Sequence, residues 1–133
     1  MITVNGGTRN QRKYALSMAA FVCEKFNVNP TVEINFRRMS NDANFGYCTE
    51  LEVSEYEVDL KRTLCMREML CTLAHVMVHV KQYELGELTQ DNEAGMDYWD
   101  KPSEIEAMGR EPGLFVRWAE KERIAHLKWT QTG

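Results

Sequence analysis

Apolar residues along the chain recur first at the helical period, then at the strand period, then at the helical period again. Tyr14, Leu16, Met18, Phe21, Val22 and Phe26 recur at steps of three and four, which predicts an amphipathic helix capped by Thr8 and stopped within residues 27–30. From Thr31 the period shortens. Val32, Ile34 and Phe36 alternate with Glu33, Asn35 and Arg37, the pattern of a half-buried strand. Residues 41–44 read as a turn, and residues 45–51 and 52–60 hold aromatic and β-branched side chains with further alternation. These segments predict a small, mostly antiparallel sheet of about three strands.

The helical period returns over residues 62–83, where Leu64, Leu70, Leu73, Ala74, Met77 and Val80 give a wide apolar face ended by Gly86. Residues 89–101 read as a loop carrying Tyr98 and Trp99. A last helix is expected after Pro102, with Ser103 near its cap and with Ile105, Ala107 and Met108 along it. It is expected to break at residues 111–113 and to resume through Leu114, Phe115, Val116, Trp118 and Ala119 toward Leu127. The order of elements is that of an α+β fold, and 133 residues suit one domain around one core.

Within the central helix, His75 and His79 are four residues apart, with Val76 directly after the first. Two imidazoles at that spacing share a helix face, about 6 Å apart along the axis, and can reach one metal ion. In the His-Glu-x-x-His motif of zinc hydrolases, the glutamate after the first histidine is the general base that takes a proton from the metal-activated water. Val76 can neither accept that proton nor form a hydrogen bond. A zinc site of this kind also requires a third protein ligand, with one position left for water.

Composition narrows the setting. Twenty acidic and 16 basic side chains give a formal charge of -4, which offers no broad attraction to nucleic acid or to an anionic membrane. No apolar run approaches the roughly 20 residues that span a bilayer, and the start lacks the charged and apolar regions of a signal peptide, so an intracellular, cytoplasmic protein is expected. Cys23, Cys48, Cys65 and Cys71 form no Cys-x-x-Cys pair and read as reduced, structural thiols. A Cys71–His75–His79 site fails on geometry, because ligands on three successive turns spread over about 12 Å.

A His-x-x-x-His helix followed about 25 residues later by Glu104-Ile105-Glu106-Ala107 resembles the gluzincin metallopeptidases. Residues 72–83 and 98–112 together look like small, phage-encoded, SprT-like members of that group, and the resemblance covers about half of the chain. It implies a zincin-like fold and zinc held by His75, His79 and Glu104, with the small Ala107 permitting close helix packing. It also implies peptide-bond hydrolysis of a peptide or protein substrate. Val76 departs from the family at the base, so hydrolysis is expected to be strongly impaired or absent. Either this chain is a mutated copy of an active enzyme or it is a pseudoenzyme that binds a peptide or protein partner.

Several residues keep alternative readings. Glu106 competes with Glu104 for the third ligand position, since the two point from different helix faces. Glu111 reads as a solvated charge beside the break at Pro112, and His126 as a solvent-facing residue of the tail. Tyr98 and Tyr83 could support an oxyanion or simply pack, while Trp99, Trp118 and Trp129 read as core or lid residues. Glu68, a little under two turns before His75, is the nearby helix carboxylate that could replace the missing base, from a poor position.

Overall fold

The computed structural model describes residues 1–39 and 45–131, so the turn expected at 41–44 lies outside the described residues. The elements run β1 (Ile2–Asn5), α1 (Arg9–Lys25), β2 (Thr31–Arg37), β3 (Gly46–Glu52), β4 (Glu55–Lys61), α2 (Met66–Glu84) and α3 (Pro102–Lys121), with short 3₁₀ turns at Tyr98–Asp100 and Lys128–Thr130. The fold class is α+β, as the pattern implied. The sheet is not the one expected. It has four strands in the order β1-β2-β4-β3, and β1–β2 and β2–β4 are parallel, while only β3–β4 is antiparallel.

The reason lies in the connections. α1 is a crossover between β1 and β2, and a strand that returns through a helix lies parallel to the one it left. β3 and β4 are joined by a tight turn at Val53-Ser54, with Ser54 at φ 58°, and therefore pair antiparallel. The segment expected as one strand over 52–60 contains this turn. Val4, Ile34, Val58 and Cys48 lie side by side across the four strands, forming one row of the face that the helices cover.

Thr8 caps α1 as expected: its hydroxyl accepts from the Gln11 amide at 3.1 Å, and its own amide donates to Gln11 Oε1 at 2.7 Å. α1 buries Ala15, Met18, Ala19, Val22 and Cys23, and the chain leaves it through Asn27 in the left-handed region. α2 begins at Met66, four residues later than its apolar pattern suggested. It buries Met69, Leu70, Leu73, Ala74, Met77, Val78 and Val80 because it lies against both the sheet and α3. Gly86, at φ 73°, terminates it by donating to the Tyr83 carbonyl.

α3 corrects a second expectation, for it runs unbroken through Pro112. Proline lacks the N–H that the Met108 carbonyl would receive, and its ring crowds that carbonyl. Met108 and Pro112 both lie on the exposed face, where water can serve the carbonyl. Beyond it, Trp118 is fully buried and donates to Ser17 of α1 at 2.9 Å, fixing α3 in the core. The helix stops at Lys121, short of Leu127, where Arg123 enters the left-handed region; Trp129 then folds back onto Tyr14. No helix among the described residues is long and apolar enough to cross a membrane.

Replacing an exposed proline inside a helix restores a backbone hydrogen bond. Pro112→Ala should therefore raise stability by about 1–3 kcal/mol, read from urea denaturation midpoints. An unchanged or lower midpoint would mean that the helix does not continue through this position in solution.

Candidate metal centre

His75 and His79 sit in the middle of α2, half-buried, on the side that meets the first turn of α3. That first turn is held in place from the preceding loop, since the Ser103 amide and hydroxyl both donate to the Glu93 carboxylate. Ala107 is fully buried.

The Glu104 carboxylate lies between the histidines, with Oε1 3.0 Å from His75 Nε2 and Oε2 3.0 Å from His79 Nε2. One ligand atom from each residue can be chosen so that all lie within 4.8 Å of one another, and this group could hold a metal ion. Around a tetrahedral ion with bonds of about 2.0–2.2 Å, ligand atoms are separated by roughly 3.3–3.6 Å, which falls inside the spread of this group. The opposite ring nitrogens are also engaged: His75 Nδ1 lies 3.2 Å from Glu111 Oε1, and His79 Nδ1 lies 2.8 Å from Gln82 Oε1. An Nδ1–H that donates to oxygen leaves the Nε2 lone pair for an ion, the arrangement of histidine metal ligands generally.

Glu106 does not compete for this site. It points to another side of α3, where it pairs with Lys81 and Arg110 at 2.7 Å each and accepts from Gln82 at 2.9 Å. The reading of Glu111 as a solvated charge is corrected. Because α3 stays helical past Pro112, Glu111 lies two turns from Glu104 on the same face and meets His75. Cys71 is outside the group, and burial pushes its thiol up to about 11; burial likewise pushes the Cys48 thiol, on β3 beside the site, up to about 12. His126 is exposed beyond the end of α3. Glu68 is exposed at the start of α2, accepts from the Cys65 thiol, and does not line the cleft described next.

A cleft of about 440 Å³ opens over the site, lined by Gly46, Tyr47 and Cys48 of β3, by both histidines, and by Glu104 and the loop before α3. Val76 also lines it, with 2% of its surface exposed. Tyr98, at the rim, donates its phenol to Glu104 Oε1 at 3.0 Å, so in this state its proton is used to hold the carboxylate. Tyr83 lines the cleft and packs near Tyr56, while Trp99 stands exposed, edge-on to Tyr98, and Trp118 belongs to the core.

Burial alone would raise the Glu104 carboxyl, but hydrogen bonds from His75, His79 and Tyr98 outweigh it and hold the group well below the usual carboxylate range. Burial alone would lower His75, but its hydrogen bonds to Glu104 and Glu111 prevail and lift it to about 9. A proton held on His75 is one that an ion bound there would have to displace.

Two opposite pH trends follow. The folded His75 value exceeds the 6.5 of an ordinary histidine, so the folded metal-free chain binds the extra proton and loses stability as pH rises from 6.5 through about 9. Metal affinity should rise over the same interval, by up to about tenfold per unit. Denaturation of the chelated protein and metal titration, each at several pH values, measure the two trends. Affinity that is flat from pH 7 to 9 would contradict the proton placed on His75.

No family model, curated protein or solved structure matches the chain.

Proposed function

We propose that the protein is a zinc-binding, metallopeptidase-like protein of the zincin type that keeps an ion site and a peptide cleft but hydrolyses peptide bonds very slowly or not at all. The observation that carries this reading is the convergence of His75, His79 and Glu104 at a cleft that Val76 also lines. Two imidazoles and one carboxylate, without thiolate, suit zinc better than the all-oxygen preferences of magnesium or calcium. Three protein ligands beside a cleft leave a position for water or a carbonyl oxygen. When bound, zinc would supply Lewis acidity for that water and for a substrate carbonyl.

The chain's own residues then set the rate. Val76 cannot remove a proton or return it to a leaving amine, and losing a general base costs typically about 10²- to 10⁴-fold. The two described carboxylates that line the cleft are already engaged, Glu93 by Ser103 and Glu104 by the histidines. Neither is free to replace the base. Tyr98 steadies Glu104, and its phenol could turn toward an oxyanion only by giving up that hydrogen bond.

A second reading, a peptide-binding module, is favoured by β3. It is an edge strand whose first residues line the cleft, so an extended peptide or protein segment could add to it by backbone hydrogen bonds while meeting the ion. The two readings share the site and differ only in turnover.

Restoring the carboxylate separates them. Val76→Glu should raise cleavage of an unfolded protein by about 10²- to 10⁴-fold over the present chain, with zinc content unchanged and with His79→Ala abolishing both zinc and cleavage. A folded, zinc-loaded Val76→Glu variant that cuts nothing would remove the hydrolase reading and leave the binding module. Absence of zinc from protein purified without added metal, unaffected by His79→Ala, would remove both.

A further inference from the structure

We propose that Glu106, which touches neither histidine, positions His79 as a metal ligand by fixing the orientation of the Gln82 side-chain amide. The inference rests on the metal-site reading above and adds to it a residue that acts at a distance. The two histidines are supported differently. Glu111 offers His75 a carboxylate, which can only accept, so its orientation carries no ambiguity. His79 is offered an amide, which presents a carbonyl one way round and an amino group the other. Only the first orientation gives the tautomer that binds through Nε2. With the amide reversed, Nδ1 would have to accept, Nε2 would carry the proton, and no lone pair would remain there for an ion.

The surroundings of Gln82 select the productive orientation. Gln82 is 1% exposed, so water cannot compensate for a wrong choice. Its Nε2 faces two groups that have no proton to give, the Ser103 carbonyl at 2.9 Å and Glu106 Oε1 at 2.9 Å. Its Oε1 is thereby turned to His79 Nδ1. Glu106 is in turn held from its other oxygen: Lys81 Nζ and Arg110 Nε both donate to Oε2 at 2.7 Å, leaving Oε1 for Gln82. Lys81 is itself buried, bonds Glu87 at 2.7 Å, and lies 5.1 Å from the Phe26 ring, which Arg110 approaches to 4.9 Å. The charged cluster that joins the end of α1 to α2 and α3 thus has a direction, running from the cations through Glu106 and Gln82 to His79.

The test exchanges the two polar groups. In Glu106→Gln the cations still demand oxygen, so the new amino group is set against the Gln82 amino group, and only the Ser103 carbonyl still favours the productive orientation. Zinc affinity of the full chain, measured by competition with a chromophoric chelator, should fall by about 10- to 100-fold. The double variant, Gln82→Glu together with Glu106→Gln, restores an acceptor toward His79 that also accepts from the amide at 106, but it sets an oxygen against the Ser103 carbonyl. It should bind zinc more tightly than Glu106→Gln alone, without full recovery. Long-range ¹H–¹⁵N spectra of the zinc-loaded proteins should show His79 bound through Nε2 in the original and double-variant chains, with that state depleted in Glu106→Gln. A cluster that merely joined helices would lower the melting temperature without this pattern. Glu106→Gln binding zinc within about twofold of the original chain, or a double variant no better than the single one, overturns the proposal. Should Glu106→Gln fail to fold, Gln82→Met decides by the same thresholds. Glu104→Ala is the control: if it binds zinc as the original chain does, the metal-site reading itself fails and the proposal with it, whereas loss there with no effect at Glu106 rejects the relay alone.

Discussion

The approach of α3 to α2 is the contact on which the site depends. α2 carries two histidines on one face, but a pair of imidazoles on one helix is an incomplete site until a second helix delivers a carboxylate between them. Trp118 anchors α3 far from the site, and Ser103 pinned to Glu93 fixes where α3 begins. Because α3 is continuous, the same approach delivers two further groups, Glu111 to His75 and Glu106 to Gln82. One helix–helix contact therefore sets both the candidate ligands and the groups hydrogen-bonded to them.

Much of this is legible in the sequence where a signal is long or chemically explicit. The seventeen residues of α1, its Thr8 cap, the α2 periodicity and the His-x-x-x-His spacing all carry local information that tertiary contacts do not override. β1 is not legible, because four residues give too short an alternation to stand out, and without β1 the crossover through α1 and the parallel pairings cannot be inferred. A break at Pro112 is what proline in isolation implies, and accepting it loses the register that places Glu111 two turns from Glu104. Gln82 could be suspected from its position three residues after His79, on a neighbouring part of the same face, but its amide matters only through Ser103 and Glu106, which are distant in sequence.

Val76 gains meaning from this setting. The surrounding groups could hold an ion: paired imidazoles with their far nitrogens engaged, and a carboxylate kept ionised against its own burial. Such preparation stabilises binding whether or not turnover follows, because the ligands act on the ion and the base acts on the water. Under the proposed reading, valine in place of the base would remove the second function and spare the first. Among the described residues the cleft is bordered by the first residues of β3, the edge strand of the sheet.

X-ray absorption at the zinc edge of the metal-loaded protein tests the three-ligand centre most directly. Two imidazole nitrogens and one carboxylate oxygen are expected at about 2.0–2.2 Å, with one further light-atom ligand. A sulfur neighbour at about 2.3 Å, or a first shell with fewer than two imidazoles, would contradict it.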